Sequence, residues 1–546
     1  MRLDRLGSSF PTRLSFMRSL IRQLAAERAE VTRPVWEIDD HGFGRAVYSV
    51  GLLGHTYSLV AFSTPLAPEN RTDRVIAEAW DSSYVIFDGV PTTADLDRLE
   101  TRVPTQEASR YEDSELSLSR ANKSVRLFER MVENLAAGEQ PDQQMLTSVG
   151  YLMRTTAVYG SGKFGTADRG KYAGRSGMDA PFRVEMLSVW LTRGFTIDLV
   201  NHIAACRSPE TAVALSEHLQ RQLGIGNATG LGMAPFLVSH PILFNNWITA
   251  RETAIARVVA VEEASPESIT RVHELLARAR RHVAQWRVED ELQTARISVL
   301  ESELADVEAT LAGWFGDPSP WARLMAEAAT WSLETQELIA ALLVEAHPAL
   351  VDDLTAGMSS STPPRIDGAM SVGSLQEHLA EHFGWAVEID FGSRDETAQF
   401  WYISEEKSEP RLGLRYEESG ADLEQPLDVG RRVNALAGAL AGADPQESVA
   451  GFLLAQPEHR FAVMRVQTVA EHPYSEIRDN LISDRCLPID MLRAKLAMFG
   501  ACKFDPKSDR WTRINMYQGA PLFSDIANPA PGFDADDWWL PVLEES

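Results

Sequence analysis

Arg45-Ala-Val-Tyr-Ser-Val-Gly-Leu52 and Thr56-Tyr-Ser-Leu-Val-Ala-Phe-Ser-Thr64, parted only by a few residues around Gly54-His55, decide the N-terminal architecture. Both runs are β-branched and aromatic, and a connection this short joins antiparallel neighbours. Similar runs lie at Val35–Asp39, Arg74–Trp80 and Tyr84–Asp88, with Asp40-His41-Gly42 and Asp81-Ser82-Ser83 as turn-like breaks. Residues 34–90 therefore read as a small antiparallel meander. Ahead of it, Met1–Arg28 mixes Phe10, Phe16, Leu20 and Ile21 with six arginines. That mixture lacks the apolar core of a secretory signal, and Asp4 and Glu27 weaken a likeness to an organellar presequence. A surface helix is the expectation.

From Ser114 the period becomes helical for some 230 residues. Helices are expected at Ser114–Ala137, Gln143–Val158, Pro181–Leu191, Phe195–Cys206 and Glu210–Leu223. Ser265-Pro266-Glu267 is a helix-start signal for a segment running to Trp286. Ile297, Leu300, Leu304, Val307, Leu311 and Trp314 step by three and four as a coiled-coil seam does. That run is short of the usual heptad count, so it reads as a helical hairpin inside the domain, with a dimer zipper as the other reading.

Gly357–Pro364 is a linker of small residues ending in two prolines. Beyond it, strands are expected at Ala386–Phe391, Gln399–Ser404, Arg411–Tyr416, Phe461–Val469 and Arg510–Tyr517. Helices are expected at Val429–Ala441, Gln446–Leu454 and Pro488–Phe499, and a Pro- and Trp-rich tail as a strap. The fold class is thus α+β and predominantly helical: a central helical domain (111–356) between an N-terminal helix plus meander (1–110) and, after the linker (357–370), a C-terminal α+β domain (371–546).

The totals narrow the function classes. With 546 residues the chain exceeds a single core, and 44% apolar with 24% charged residues is an ordinary globular mixture. A formal charge of −26 repels phosphate backbones and anionic lipid, arguing against nucleic-acid and membrane-surface partners. Cys206, Cys486 and Cys502 are too scattered for a disulfide framework or a thiolate metal site, and a reducing, cytoplasmic setting is expected. No run of eighteen apolar residues exists to span a bilayer.

Against that acidic background one stretch stands out, Tyr159 to Asp179, with six glycines. Lys163, Arg169, Lys171 and Arg175 face only Asp168 and Asp179 there. Glycines let backbone N–H groups approach a ligand, and the bases supply charge-assisted bonds to carboxylate or phosphate. It is not a Walker A loop, because Ala157 stands where the first glycine belongs and Phe164 replaces the hydroxyl. The second stretch, Leu223 to Pro235, carries Gly226, Gly230 and Gly232 with Asn227 and Thr229. Following an expected helix, it reads as a glycine-rich turn whose N–H groups, at the start of a helix near Met233, could hold an anion.

His240, just beyond, is a candidate acid or base, and Asp168 and Tyr172 are candidate proton carriers. His378 and His382 share a helix face, read as solvated for want of a third metal ligand. Cys502, beside Lys503, reads as a small hydrophobe with a minor claim as nucleophile. No spacing identifies a cofactor.

Together these features point to an enzyme acting on a small anionic, carboxylate- or phosphate-bearing metabolite. Lys163, Lys171, Arg169, Arg175, Gly226, Asn227, Thr229 and Gly230 would hold the ligand, and the reaction type is undetermined. The alternative is a non-catalytic assembly or binding protein using the helical domain as an interaction surface, with a homo-oligomer among the partners to be expected.

Overall fold

Arginine-rich α1 (Phe16–Ala26) precedes four strands that pair in sequence order: β1 (Val31–Ile38), β2 (Gly44–Leu52), β3 (His55–Ser63) and β4 (Ser82–Asp88). The hairpin expected around Gly54 is present, in register from Gly44↔Ser63 to Leu52↔His55. Its two-residue turn, Leu53-Gly54, has φ of +48° and +78°, matching the right-handed twist of the strands. The computed structural model describes residues 5, 8–70, 79–105, 112–155, 174–230, 241–286, 288–312, 318–357, 366–388, 390, 400–403, 410–412, 429–471, 480–481, 488–506 and 511–542.

The chain continues through α2 (Thr93–Arg102), β5 (Glu115–Lys123), α3 (Phe128–Ala136), α4 (Gln143–Val149) and β6 (Tyr151–Thr155). Then come α5 (Arg183–Arg207), α6 (Glu217–Arg221) and β7 (Gly224–Gly230). A helical run follows: α7 (Pro241–Val259), α8 (Pro266–Ala284), α9 (Glu291–Ala312), α10 (Pro320–Ala328), α11 (Leu333–Ala346), α12 (Pro348–Val351), α13 (Leu354–Gly357) and α14 (Val372–Val387). The remainder comprises β8 (Phe400–Ile403), β9 (Pro410–Leu412), α15 (Val429–Ala441), α16 (Val449–Ala455) and α17 (Arg460–Glu471). It closes with β10 (Asn480–Leu481), α18 (Pro488–Phe499), β11 (Lys503–Pro506), β12 (Trp511–Met516) and α19 (Phe523–Ala527).

The fold is α+β and predominantly helical, as the sequence implies. Its main sheet has nine strands in the order β1-β2-β3-β4-β5-β6-β7-β12-β11, and β10-β8-β9 form a second, small sheet. One face of the main sheet receives α2, whose Leu96 and Leu99 pack on Val47, Val60, Phe62 and Val85. A reciprocal capping box between Thr92 and Asp95 starts that helix. The other face is covered by α5, buried along most of its 25 residues. Residues 366–466 gather a core of their own around Leu375, Phe383, Leu436 and Phe452.

Several elements differ from expectation. Glu115–Lys123 is a strand, not helix: it is buried on both faces, so the alternation that identifies a strand is absent. Gln143–Val158 divides, because Gly150 (φ +74°) ends α4 and the chain turns into β6. The break expected between Leu191 and Phe195 is absent, since α5 runs through Gly194, where the Phe523 ring fills the space a Cβ would need. Within Glu210–Leu223 only α6 is helical. Ala386 and Val387 end helix α14, and Phe461–Val469 is helical because Ala462, Val463 and Val466 recur at helical spacing against the core. Residues 71–78, 313–317 and 358–365 lie outside the described residues, taking with them most of the Arg74–Trp80 strand, Trp314 and the linker.

The largest correction concerns Leu223–Pro235. Gly224–Gly230 is an interior strand, parallel to β6 and antiparallel to β12. Its glycines serve close packing: a Cβ on Gly226 would meet the Tyr151 ring, and one on Gly224 would meet Asn515 and the Met516 carbonyl.

The N-terminal helix is not a surface element either. Leu20, Ile21 and Leu24 are fully buried, and its arginines meet acids from distant parts of the chain. Arg18 forms a two-pronged pair with Glu345 of α11 at 2.6 Å for both bonds. Asp536 of the tail sits 2.8 Å from Arg13 and 3.2 Å from Arg18. Burial alone would lower the Arg18 pKa, but Glu345 and Asp536 raise it overall. Glu337, one helical face along α11, pairs with Arg5 (2.5 Å) and with Arg251.

The heptad seam is used inside the chain. Leu300, Leu304, Val307 and Leu311 are buried in α9, which packs against α8 and α11. Leu304→Lys is therefore expected to lower the urea midpoint by the equivalent of about 3 kcal/mol, as a buried unpaired charge does. Light scattering below the transition should give the parent mass; a changed mass at unchanged stability would make the seam intermolecular.

Candidate functional site

β6 and β7 are the parallel pair in a sheet whose other described neighbours are antiparallel, so the chain between them must cross over. It does so through α5, giving a strand–helix–strand unit inside an antiparallel sheet. In such units ligands bind outside the carboxyl ends of the strands, where the direction of the topology changes. Here that place lies between β5 and β7, beyond Thr155, at the amino end of α5. The basic glycine-rich stretch is the connection from β6 to α5.

Register identifies the lining. Ala121 pairs with Thr155, so Ser119 and Ser117 of β5 extend past the last described residue of β6 on the face toward α5. Arg154 pairs with Gly226, so the next residues, Thr155 and Asn227, are neighbours on that same face. On α5, Ser188 Oγ lies 3.0 Å from Ser119 Oγ, and Glu185 is one turn closer to the helix start. Ser117, Ser119, Ser188, Glu185 and Asn227 are all buried.

This lining is polar where a core is ordinarily apolar, and much of it is unsatisfied. Among the described residues, Ser117 Oγ, Glu185 Oε1 and both amide atoms of Asn227 have no hydrogen-bond partner. Leaving such atoms dry costs about 1–3 kcal/mol each, which is why buried polar groups without partners mark functional positions. Burial also pushes Glu185 up to about 7, opposed weakly by its own backbone N–H. A carboxyl poised near neutrality can give or take a proton. Nothing in the sequence singles out Glu185, since its position reads as an ordinary helical residue.

Comparisons with protein-family models, with curated proteins and with solved structures find no match.

The residues expected from sequence are distributed as follows. Lys163, Asp168, Arg169, Lys171, Tyr172 and His240 lie outside the described residues. Arg175 stands on the turn before α5, ion-paired with Asp88 and donating from Nη2 to the Asp113 carbonyl at 2.8 Å. Gly226, Asn227, Thr229 and Gly230 share strand β7. As strand residues, Gly226 and Gly230 do not present a helix start to an anion. Of these, Asn227 is buried on the face of β7 toward α5.

Other candidates resolve differently. His378 and His382 are buried, with ring centroids 4.7 Å apart, and not solvated. No group of three metal-ligating side chains occurs among the described residues. Burial pushes the Cys502 thiol up to about 12, which removes its claim as a nucleophile. An open cleft of about 370 Å³ is bordered by Asp40, Lys123, Phe128, Cys206 and Arg207. Beside it, Cys206 Sγ lies 3.7 Å from His202 Nε2. Trp36 donates to His202 Nδ1 at 3.4 Å, which leaves the ring proton on Nε2, bonded to the Asp39 carbonyl at 2.9 Å. That nitrogen cannot take the thiol proton, so the pair is not a nucleophilic dyad.

Glu185 has a measurable signature. Its pKa is raised on folding from 4.5 to about 7, so the native state holds a proton that the unfolded chain releases between those values. Stability should therefore fall as pH rises from 4.5 to 7, by about 3 kcal/mol in all. Glu185→Gln should abolish that slope, matching the parent at pH 4 and exceeding it at pH 8 in urea denaturation. Parallel profiles would mean the carboxyl is already compensated.

Proposed function

We propose that this protein is an enzyme acting on a small anionic metabolite, bound at the carboxyl ends of β6 and β7, with Glu185 carrying the proton. The observation that supports this most is the buried set Ser117, Glu185 and Asn227, whose polar atoms lack partners at the crossover crevice. Asn227 can both donate and accept, and so would orient a carboxylate or phosphate group together with the hydroxyls of Ser117 and Ser119. Lys163 and Arg169, from the segment joining β6 to α5, would supply the neutralising charge, and the amino end of α5 adds its dipole. Glu185 near neutrality suits a general acid or base for proton transfer at a carbon or oxygen beside that anionic group.

A thermal-shift panel of carboxylates and phosphorylated metabolites tests the reading. A true ligand at a hundredfold its Kd should stabilise the protein by about 2.7 kcal/mol. Lys163→Ala with Arg169→Ala should remove that shift. Asn227→Leu should also remove it while raising intrinsic stability, because it deletes an unsatisfied buried amide without changing shape much. Unchanged binding and activity in all three variants would overturn the proposal.

A further inference from the structure

On the opposite side of α5 from Glu185, two residues away and so some 200° round the helix, lies Arg183. It is 7% exposed, and its Nε and Nη1 have no hydrogen-bond partner among the described residues. Its Nη2 donates to Ser19 Oγ at 3.4 Å. Burial lowers its pKa to about 10, so it remains a cation at neutral pH.

The buried and half-buried charges around it are more positive than negative. Arg13, Arg18, Arg22 and Arg183 come from α1, its approach and the start of α5. Glu345, Asp352 and Asp536 are the acids among them, and all three are engaged by Arg13, Arg18 and Arg22. Arg22 raises the cost of charging Arg183 further, offset by Tyr517 and Glu27. Tyr517 donates its hydroxyl to the Met186 carbonyl at 2.9 Å. Glu27 accepts from the Leu53 N–H at 2.6 Å and from the Gln23 amide at 3.2 Å. A buried guanidinium without a paired counter-charge is destabilising, and it stands at the first turn of a 25-residue helix, where the dipole also favours negative charge.

We infer that the seam between α1 and α5 binds one small oxyanion, of the phosphate or sulfate class, held by Arg183 and Ser19 with Arg22 beside it. This site is independent of the crevice at Glu185. The anion supplies the missing negative charge and ties the N-terminal helix to the helix that covers the sheet.

The test is equilibrium dialysis of the full chain with radiolabelled orthophosphate at fixed ionic strength. One saturable site per chain that survives Lys163→Ala with Arg169→Ala is expected, with sulfate competing and chloride not. Competition by acetate as strong as by sulfate would overturn the assignment to tetrahedral oxyanions. Arg183→Met should weaken phosphate at least tenfold, and in phosphate-free buffer should melt no lower than the parent. Should Arg183→Met fail to fold in either buffer, Ser19→Ala decides, with several-fold weaker binding expected. Glu185→Gln should bind phosphate as the parent does, so failure of the crevice proposal would leave this one standing. Absence of saturable binding by the parent, or equal binding by Arg183→Met, would overturn it.

Discussion

Three acids sit on a helix that has no solvent face. In α11, Glu334, Glu337 and Glu345 are buried with Leu338, Leu342 and Leu343, and a carboxylate cannot stay charged there without a cation. The cations come from far away in sequence: Arg13 and Arg18 from the N-terminus, Arg251 from α7, Arg493 from α18. Asp536, in the tail, then shares the arginines that Glu345 holds. Placing α11 at the centre therefore obliges both ends of the chain to converge on it, and Trp539, buried three residues after Asp536, donates to the Pro11 carbonyl. Replacing such a set with apolar residues can be neutral in stability, but removing one member leaves a bare charge. Its clearest effect is to specify which segments meet.

The same logic explains what could be read beforehand. The meander was legible because β2 and β3 are β-branched and aromatic runs with a turn at Gly54 between them. The seam at 297–311 was legible as helix because apolar spacing survives any partner. Strand β5 was not, because Leu116 and Leu118 face different cores and erase the period. Phe461–Val469 misled through its β-branched content, although Val463 and Val466 already keep a three-residue step. The arginines before residue 28 suggested a wet surface, and no local pattern announces acids 300 residues away.

The candidate site was partly visible. Glycine-rich composition drew attention to 159–179 and 223–235; the first follows β6 and the second contains β7, the two strands that meet in parallel. The turn expected of the second is a strand instead, because glycine allows close strand contact as readily as it allows a turn. Glu185 and Ser117 carried no signal at all. Their significance arises only when α5 folds down over β5 and β7, and burial changes what a carboxyl and a hydroxyl can do.

One pairing has a consequence for synthesis. Strand β7 takes β12 as its outer neighbour, with Gly230 opposite Trp511, so some 280 residues separate the two edges. At about 5–20 residues per second, β7 would wait roughly 15–55 s on the ribosome with one side uncovered. An open strand edge invites pairing with any other nascent chain. The long helical run between them is local in its contacts and can form meanwhile. The newborn protein is then a folded centre beside an unfinished sheet, and the interval between these states is the time in which it most needs a chaperone.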